Sequence, residues 1–290
     1  MPRTILVTGA TGNVGAKVVG GLVKAGARVL GAVQSAAKAD SIKALGAEPV
    51  EFDFNRAESM RAAFQDVEKL FLLTPFVPQM AEFGVRAVEE AGKAGVQYIV
   101  RMSALGADSK PAIRLAEWHR EVEEAVESSG IPFTILRPNS FMQNYSNYSA
   151  QSIRTQGVFY LPAGDGKVSL IDARDIAAVV VETLITVGYE GIAYDLTGPE
   201  ALSNHEIAET LSRVLGRRIR YVDVSEEDAR KGMQQSGMPD WALDALLELY
   251  ALNKAGRAPT LSPAVQQVTG RKPLTFAQFA KDYATAFGGA

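Results

Sequence analysis

Thr4-Ile5-Leu6-Val7-Thr8-Gly9-Ala10-Thr11-Gly12-Asn13-Val14-Gly15 runs from a short apolar strand through a turn with three evenly spaced glycines into a helix. The helix pattern lasts from Val14 to Ala25, with Val14, Val18, Val19, Leu22 and Val23 on one face, and Gly26 ends it. A second apolar run, Val29 to Val33, follows at once. In this setting each glycine has a task. Gly9 permits the tight turn, Gly12 lets backbone N–H groups approach a pyrophosphate, and Gly15 lets the helix lie close to the strand. The helix N-terminus then presents free donors to the anion. The order strand, glycine loop, helix, strand therefore reads as a dinucleotide-binding Rossmann unit. Its phosphate loop is Gly9, Thr11, Gly12, Asn13, Val14 and Gly15.

Working outward, the alternation continues. The pattern predicts helix over 36–45, strand over 49–54, helix over 59–64, strand over 69–73 and helix over 80–94. It then predicts strand over 98–102, helix over 115–128 and strand over 133–136. Such alternation implies an α/β fold with a doubly wound parallel sheet, and ligands at the carboxyl ends of the strands. Past Asn139 the rhythm weakens. Tyr145 to Tyr148 and Gly157 to Gly166 read as loop-rich lid material. Ile171 to Val187 returns to strand and helix, and the chain from Ala201 is mostly helical, with a strand-like stretch at 219–224. The expected division is a Rossmann domain over 1–152, to which 171–198 return, and a smaller, discontinuous, mostly helical substrate lobe over 153–170 and 199–290.

Composition excludes several functions. The 290 residues carry 30 basic and 33 acidic side chains, for a net charge of −3, without the basic excess expected of a nucleic-acid binder. There is no cysteine, which removes disulfides, thiolate nucleophiles and zinc sites built on Cys. With two histidines, His119 and His205, a metal site is not expected. No apolar run reaches the ~18 residues of a membrane span. Met1-Pro2-Arg3-Thr4 leads straight into a strand, so no signal peptide is expected, and a cytoplasmic protein is the default.

The second strand ends in Gln34-Ser35. An NAD-selective site commonly has an acid about 20 residues past the loop, on the ribose hydroxyls. Here no acid stands there, and no arginine either. Gln34, Ser35 and Lys38 are placed to bond a 2′-phosphate, although Lys38 also reads as a solvated helix residue. NADP(H) is therefore expected to be preferred, with NAD(H) also used. Asp53-Phe54 closes the third strand beside the adenine. Leu73-Thr74-Pro75 closes the fourth, under the nicotinamide ribose, and Ser103, after the fifth, completes the cofactor set.

The chain resembles the NmrA-like atypical short-chain dehydrogenases. The resemblance rests on Thr8-Gly9-Ala10-Thr11-Gly12, Ser103-Ala104-Leu105-Gly106 and Ser129-Gly130-Ile131-Pro132-Phe133-Thr134-Ile135-Leu136-Arg137-Pro138. Phe141-Met142-Gln143-Asn144, Asp172-Ala173-Arg174-Asp175-Ile176-Ala177 and Leu196-Thr197-Gly198-Pro199-Glu200 extend it over most of the chain. It implies kinship with NAD(P)H:quinone oxidoreductases, triphenylmethane dye reductases and azoreductases, and with NmrA itself, a non-catalytic redox sensor. Typical short-chain dehydrogenases use Tyr-x-x-x-Lys on the helix after the fifth strand. Counted back from Ile131-Pro132, those positions hold Leu115 and His119, so the usual proton donor is missing. His119 is the candidate catalytic residue, by likeness to the quinone and dye reductases.

Hydride attack on a plain ketone builds an alkoxide, which needs a placed acid. Attack on a quinone builds a phenolate-like oxygen, and phenols have pKa about 10. The reading is therefore a flavin-independent NAD(P)H reductase of quinones or related polycyclic or conjugated aromatics, including tailoring of an aromatic polyketide quinone. The alternatives are an NAD(P)-binding sensor and, disfavoured by the absent Tyr, an epimerase or lyase. The expected substrate pocket is Phe76, Leu105, Phe141, Asn144, Tyr145, Tyr148 and Trp241, residues on which flat aromatics stack. A small-molecule substrate, no metal, no flavin, and a monomer or homodimer complete the expectations.

Overall fold

The computed structural model describes residues 3–110 and 112–289. Met1 and Pro2, the start of the expected leaderless N-terminus, lie outside the described residues. The elements are β1 (Thr4–Val7), α1 (Gly15–Lys24), β2 (Arg28–Val33), α2 (Ala39–Ala44), β3 (Glu48–Glu51), α3 (Ala57–Ala63), β4 (Lys69–Leu72), α4 (Met80–Lys93), β5 (Tyr98–Met102), α5 (Arg114–Ser128) and β6 (Phe133–Pro138). There follow α6 (Ala150–Gln156), β7 (Val158–Leu161), α7 (Ala173–Ile185), β8 (Ile192–Leu196), α8 (Asn204–Leu215), β9 (Arg220–Asp223), α9 (Glu226–Gln235), α10 (Asp240–Lys254), α11 (Ala264–Thr269) and α12 (Phe276–Asp282).

Among the described residues, seven strands form one sheet in the order β3-β2-β1-β4-β5-β6-β8, all neighbours parallel. The order reverses between β1 and β4, which opens a crevice at their carboxyl ends. The strands read as apolar runs because both faces are covered. On one face α1 and α7 bury Val18, Val19, Leu22, Ile176 and Val180. On the other, α3, α4 and α5 bury Met60, Ala87, Val88, Val122 and Val126.

A second core, around Met142, Tyr145, Ile153, Phe159, Leu211, Phe276 and Phe279, makes the smaller lobe. Two stretches expected as loop are ordered within it. Tyr145–Ser149 form a wide helical turn that runs into α6. Tyr145 is buried there, its hydroxyl donating to Asn204 Oδ1 at 2.7 Å. Residues 158–161 form β7, which pairs in parallel with β9. One further piece falls within the stretch 171–198 expected to return to the main domain, and one does not lie where it was expected. Residues 192–196 form β8, the edge strand beside β6, and Ala264, Val265 and Val268 of α11 pack into the main core rather than the lobe.

Two of the quoted motifs hold these bodies together. Asp172 caps α7 by accepting from Arg174 N, and Gln143 donates to the same carboxylate at 3.0 Å while accepting from Ala173 N at 2.9 Å. Asp175 accepts from Arg271 and from Leu274 N. No helix among the described residues is long and apolar enough to cross a membrane.

Candidate functional site

The crevice between β1 and β4 holds a groove of about 300 Å³. Its floor is Thr8, Gly9, Thr11 and Gly12, with Leu73, Thr74 and Pro75 on the β4 side and Gln34 and Lys38 beyond β2. Ala32, Phe52 and Phe54 form an apolar end. The three glycines differ in what they do. Gly9 has φ +62°, a left-handed conformation that favours glycine. A Cβ on Gly15 would sit 2.1 Å from Gly9 O, so close packing of helix on strand requires that glycine. At Gly12 a Cβ would sit 3.3 Å from Gly9 O, a tight contact that Gly9 relieves only by shifting a few tenths of an ångström. What Gly12 leaves open is the mouth of the groove. The N–H groups of Asn13 and Val14 find no backbone acceptor among the described residues, and they immediately precede the ten-residue α1. Unpaired donors at a helix N-terminus beside a bare glycine suit a pyrophosphate.

Not every expected cofactor residue lines this groove. Val14 is buried in the core and Asn13 is exposed at the turn. Ser35 is exposed and its carbonyl accepts from Lys38 N. The Asp53 carboxylate turns back to accept from Asn55 N and Asn55 Nδ2, a local turn at the end of β3. Ser103 is buried, and its hydroxyl donates to Glu123 Oε1 at 2.5 Å. Glu123 is in turn gripped by Arg137 at 2.9 and 2.7 Å and by Arg120 at 3.0 Å. That network holds its carboxyl below the usual range against burial, which pushes the other way.

His119 stands on the second turn of α5. Its Nδ1 lies 3.2 Å from Nη2 of Arg101, a side chain wholly buried in β5. Burial and the adjacent guanidinium push the imidazole down to about 3, so it is neutral at working pH. Arg101 Nη1 also reaches Leu72 O at 3.3 Å and Thr74 Oγ1 at 3.2 Å, and Thr74 lines the groove. Sequence reasoning passed over Arg101 as part of a strand. The signal was there, because a lone charge inside Tyr98-Ile99-Val100-Arg101-Met102 cannot avoid burial.

The expected substrate residues fall into three places. Phe141, Asn144, Tyr145 and Tyr148 line one chamber with Leu246, Leu249 and Tyr250 of α10. Leu105 lines a neighbouring chamber of about 380 Å³ with Asn139, Asp195, Leu252 and Arg257. Leu249 and Asn253 of α10 border both chambers. Phe76 and Trp241 pack on each other, with Trp118 behind. Tyr250 was missed. Its hydroxyl has no partner among the described residues, and burial pushes it up to about 12, so it stays a proton-bearing donor. No group of His, Asp or Glu placed to hold a metal ion occurs among the described residues.

Comparison with known proteins agrees with this geometry. The model of the NmrA-like family matches residues 1–279. An NAD(P)H azoreductase from Xenophilus azovorans is 42% identical over 286 residues, covering 99% of this chain and 100% of that protein. A (4-alkanoyl-5-oxo-2,5-dihydrofuran-3-yl)methyl phosphate reductase from Streptomyces griseus is 35% identical, covering 98% and 99%. The structure of an NADPH-dependent quinone oxidoreductase from Escherichia coli in complex with NADPH superposes with a TM-score of 0.88 at 31% identity, covering 97% and 99% of the two chains. This chain therefore belongs to the NmrA-like family, with NAD(P)H-dependent quinone and azo reductases among its relatives.

Proposed function

We propose that this chain is a flavin-independent NAD(P)H reductase that passes hydride directly to quinones, azo compounds and related conjugated aromatic acceptors. The observation that carries the reading is a dinucleotide groove whose far wall, at Thr74, is one hydrogen bond from Arg101 and two from a neutral His119. The relatives act, by their names, on an azo compound, a quinone and an unsaturated lactone. The quinone and the acyl-substituted lactone take hydride to give delocalised oxyanions, so their reduction by NAD(P)H and one solvent proton needs no strong general acid. Leu115 and His119 stand where a Tyr-x-x-x-Lys pair would, so a plain ketone is a poor acceptor. The phenolate-like product of a quinone is nearly six units less basic than hydroxide.

In this reading the groove holds the cofactor, with the pyrophosphate over Gly12 to Val14 and the adenine end against Phe52 and Phe54. Gln34 and Lys38, with no acid at the end of β2, favour NADPH over NADH. The chamber between Phe141, Tyr148 and α10 takes the flat acceptor, with Tyr250 as a donor to its heteroatom. Reduction of an aromatic polyketide quinone as a tailoring step falls within this chemistry. The test is oxidation of NADPH and NADH against a panel of simple and polycyclic quinones, azo dyes and unactivated ketones, with flavin excluded. Brisk turnover of quinones or dyes is expected. Reduction of ketones alone would overturn the mechanism. Tight NADP binding with no acceptor reduced would favour the sensor.

A further inference from the structure

We propose that Arg101 is a positioning residue for the acceptor site, fixing His119 as its neutral Nε2–H tautomer and tying that ring to the wall of the dinucleotide groove. The inference rests on reading the cleft as a site of hydride transfer. Arg101 is 0% exposed, and among the described residues its Nε has no hydrogen-bond partner. Its three contacts are Leu72 O, Thr74 Oγ1 and His119 Nδ1. Among the described residues no carboxylate bonds to it. Glu123, whose charge acts on it from a distance, is taken up by Arg137, Arg120 and Ser103.

A buried cation without an ion pair lowers stability, and an apolar residue would fill the strand position without that penalty. What the guanidinium supplies instead is donors to two groups at the site. Burial pulls Arg101 down to about 9, so it remains a cation at neutral pH. A guanidinium donates and cannot accept. His119 Nδ1 must therefore be the acceptor, and the single proton of the neutral ring sits on Nε2. Nε2 has no partner among the described residues, so that N–H is available to an acceptor's oxygen or nitrogen.

Of the other charged groups around α5, Glu117 and Glu121 are exposed on the helix, and the rest named here are already engaged. On α10, Asp244 and Glu248 pair with Arg114. On α4, Glu82 pairs with Arg86, and Glu90 with Arg61 and Lys93. On α5 itself Arg120 holds Glu123, Glu124 and Glu127, and on β6 Arg137 holds Glu123 and Asp108. Arg101 is thus the cation that faces the ring. His119 acts as a fixed donor rather than a titrating acid, and the product's proton comes from solvent.

The experiment uses full-length protein labelled with 15N-histidine in a His205→Ala background, which leaves one imidazole to assign. Long-range 15N–1H correlations are expected to show the Nε2–H tautomer, unchanged from about pH 5 to about pH 8. Arg101→Met should let the ring exchange tautomers and titrate inside that window. With an acceptor that turns over, the same variant should lose about tenfold in kcat, gain a step in its pH profile, and keep its KM for cofactor. Arg101→Lys, which still donates to Nδ1, should restore the Nε2–H signature, and it serves if Arg101→Met does not fold. A wild-type ring protonated on Nδ1, or titrating within the window, would overturn the proposal. So would an Arg101→Met protein with unchanged tautomer and pH profile. The spectra need no turnover. The expected tautomer in a protein that reduces no acceptor would support the Arg101–His119 assignment and overturn the reductase reading.

Discussion

The ring of Trp241, in the first turn of α10, lies 5.0 Å from that of Phe76 and is tilted 58° to it. Phe76 directly follows Pro75, which lines the dinucleotide groove, and it is 42% exposed. The pair joins the loop after β4 to the helix that borders both chambers. The backbone N–H of Arg114 adds a second tie, donating to Glu248 Oε2 at 2.8 Å. Trp241→Ala should loosen α10 without unfolding the protein. Aromatic pairs contribute about 0.5–1.5 kcal/mol, so KM for the acceptor should rise roughly three- to tenfold while cofactor affinity holds. Steady-state kinetics and amide exchange over α9 and α10 check it.

Gly12 separates binding from folding. Its φ lies outside the left-handed region, and a Cβ there meets nothing closer than 3.3 Å. Gly12→Val should still fold, with a modest fall in melting temperature from the tight contact with Gly9 O. Its side chain should occupy the place of the phosphates and weaken cofactor binding by about a hundredfold or more, about 2.7 kcal/mol. A fluorescence titration of the folded variant decides the matter. Unchanged affinity would move the pyrophosphate elsewhere.

Gln34 and Lys38 both line the groove, and the proposed preference for NADPH rests on them. Gln34→Arg adds a planar cationic fork where the proposed reading puts the 2′-phosphate. The ratio of kcat/KM for NADPH over NADH should rise about tenfold, the worth of one charge-assisted hydrogen bond of about 1.5 kcal/mol. A ratio that stays put would show that the 2′-position of the cofactor lies away from the end of β2.

His119 makes the protein sensitive to acid. Its folded pKa, about 3, is depressed below the unfolded value of about 6.5. The unfolded chain therefore binds a proton that the folded one refuses. Stability falls as pH drops from about 6.5 towards about 3, by up to about 1.4 kcal/mol per unit. His119→Gln removes that proton and leaves the carboxylates as they are. Urea melts at about pH 7 and about pH 4.5 should show a smaller acid loss in the variant than in the wild type.

The sequence disclosed the half of the fold in which local signals and tertiary structure agree. β1, α1 and β2 were legible because glycine spacing and a one-sided apolar helix face allow few other structures. β7 was not, since Val158-Phe159-Tyr160-Leu161 is short and follows Gly157, whose φ of +66° ends α6. β8 was hidden by its position at an edge, where Ile192 and Ala193 are exposed and no buried run forms. Tyr145 stands among Ser and Asn and reads as a loop residue. Its burial comes from Phe159 and Phe276, 14 and 131 residues away in sequence, which no local pattern reports. At the site, the glycine loop and Thr74 were readable from type and order. The fate of Asp53 and Ser103 was not, because each polar group chose its partner in three dimensions.

β8 and α11 have a consequence for how this protein is made. The sheet gains its last parallel strand at residues 192–196, and part of the cover over α7 and β8 comes only at residues 264–269. A nascent chain stopped at residue 152 would leave β6 as a bare edge and lack α7 altogether. The nucleotide half therefore cannot mature ahead of the lobe, as an N-terminal domain usually does during synthesis. The two are threaded through one another three times, and a single proteolytic cut cannot part them. Ligand-competent protein should appear on a translating ribosome only when nearly the whole chain has emerged, so premature termination yields an unfinished sheet rather than a stray NAD(P)-binding fragment.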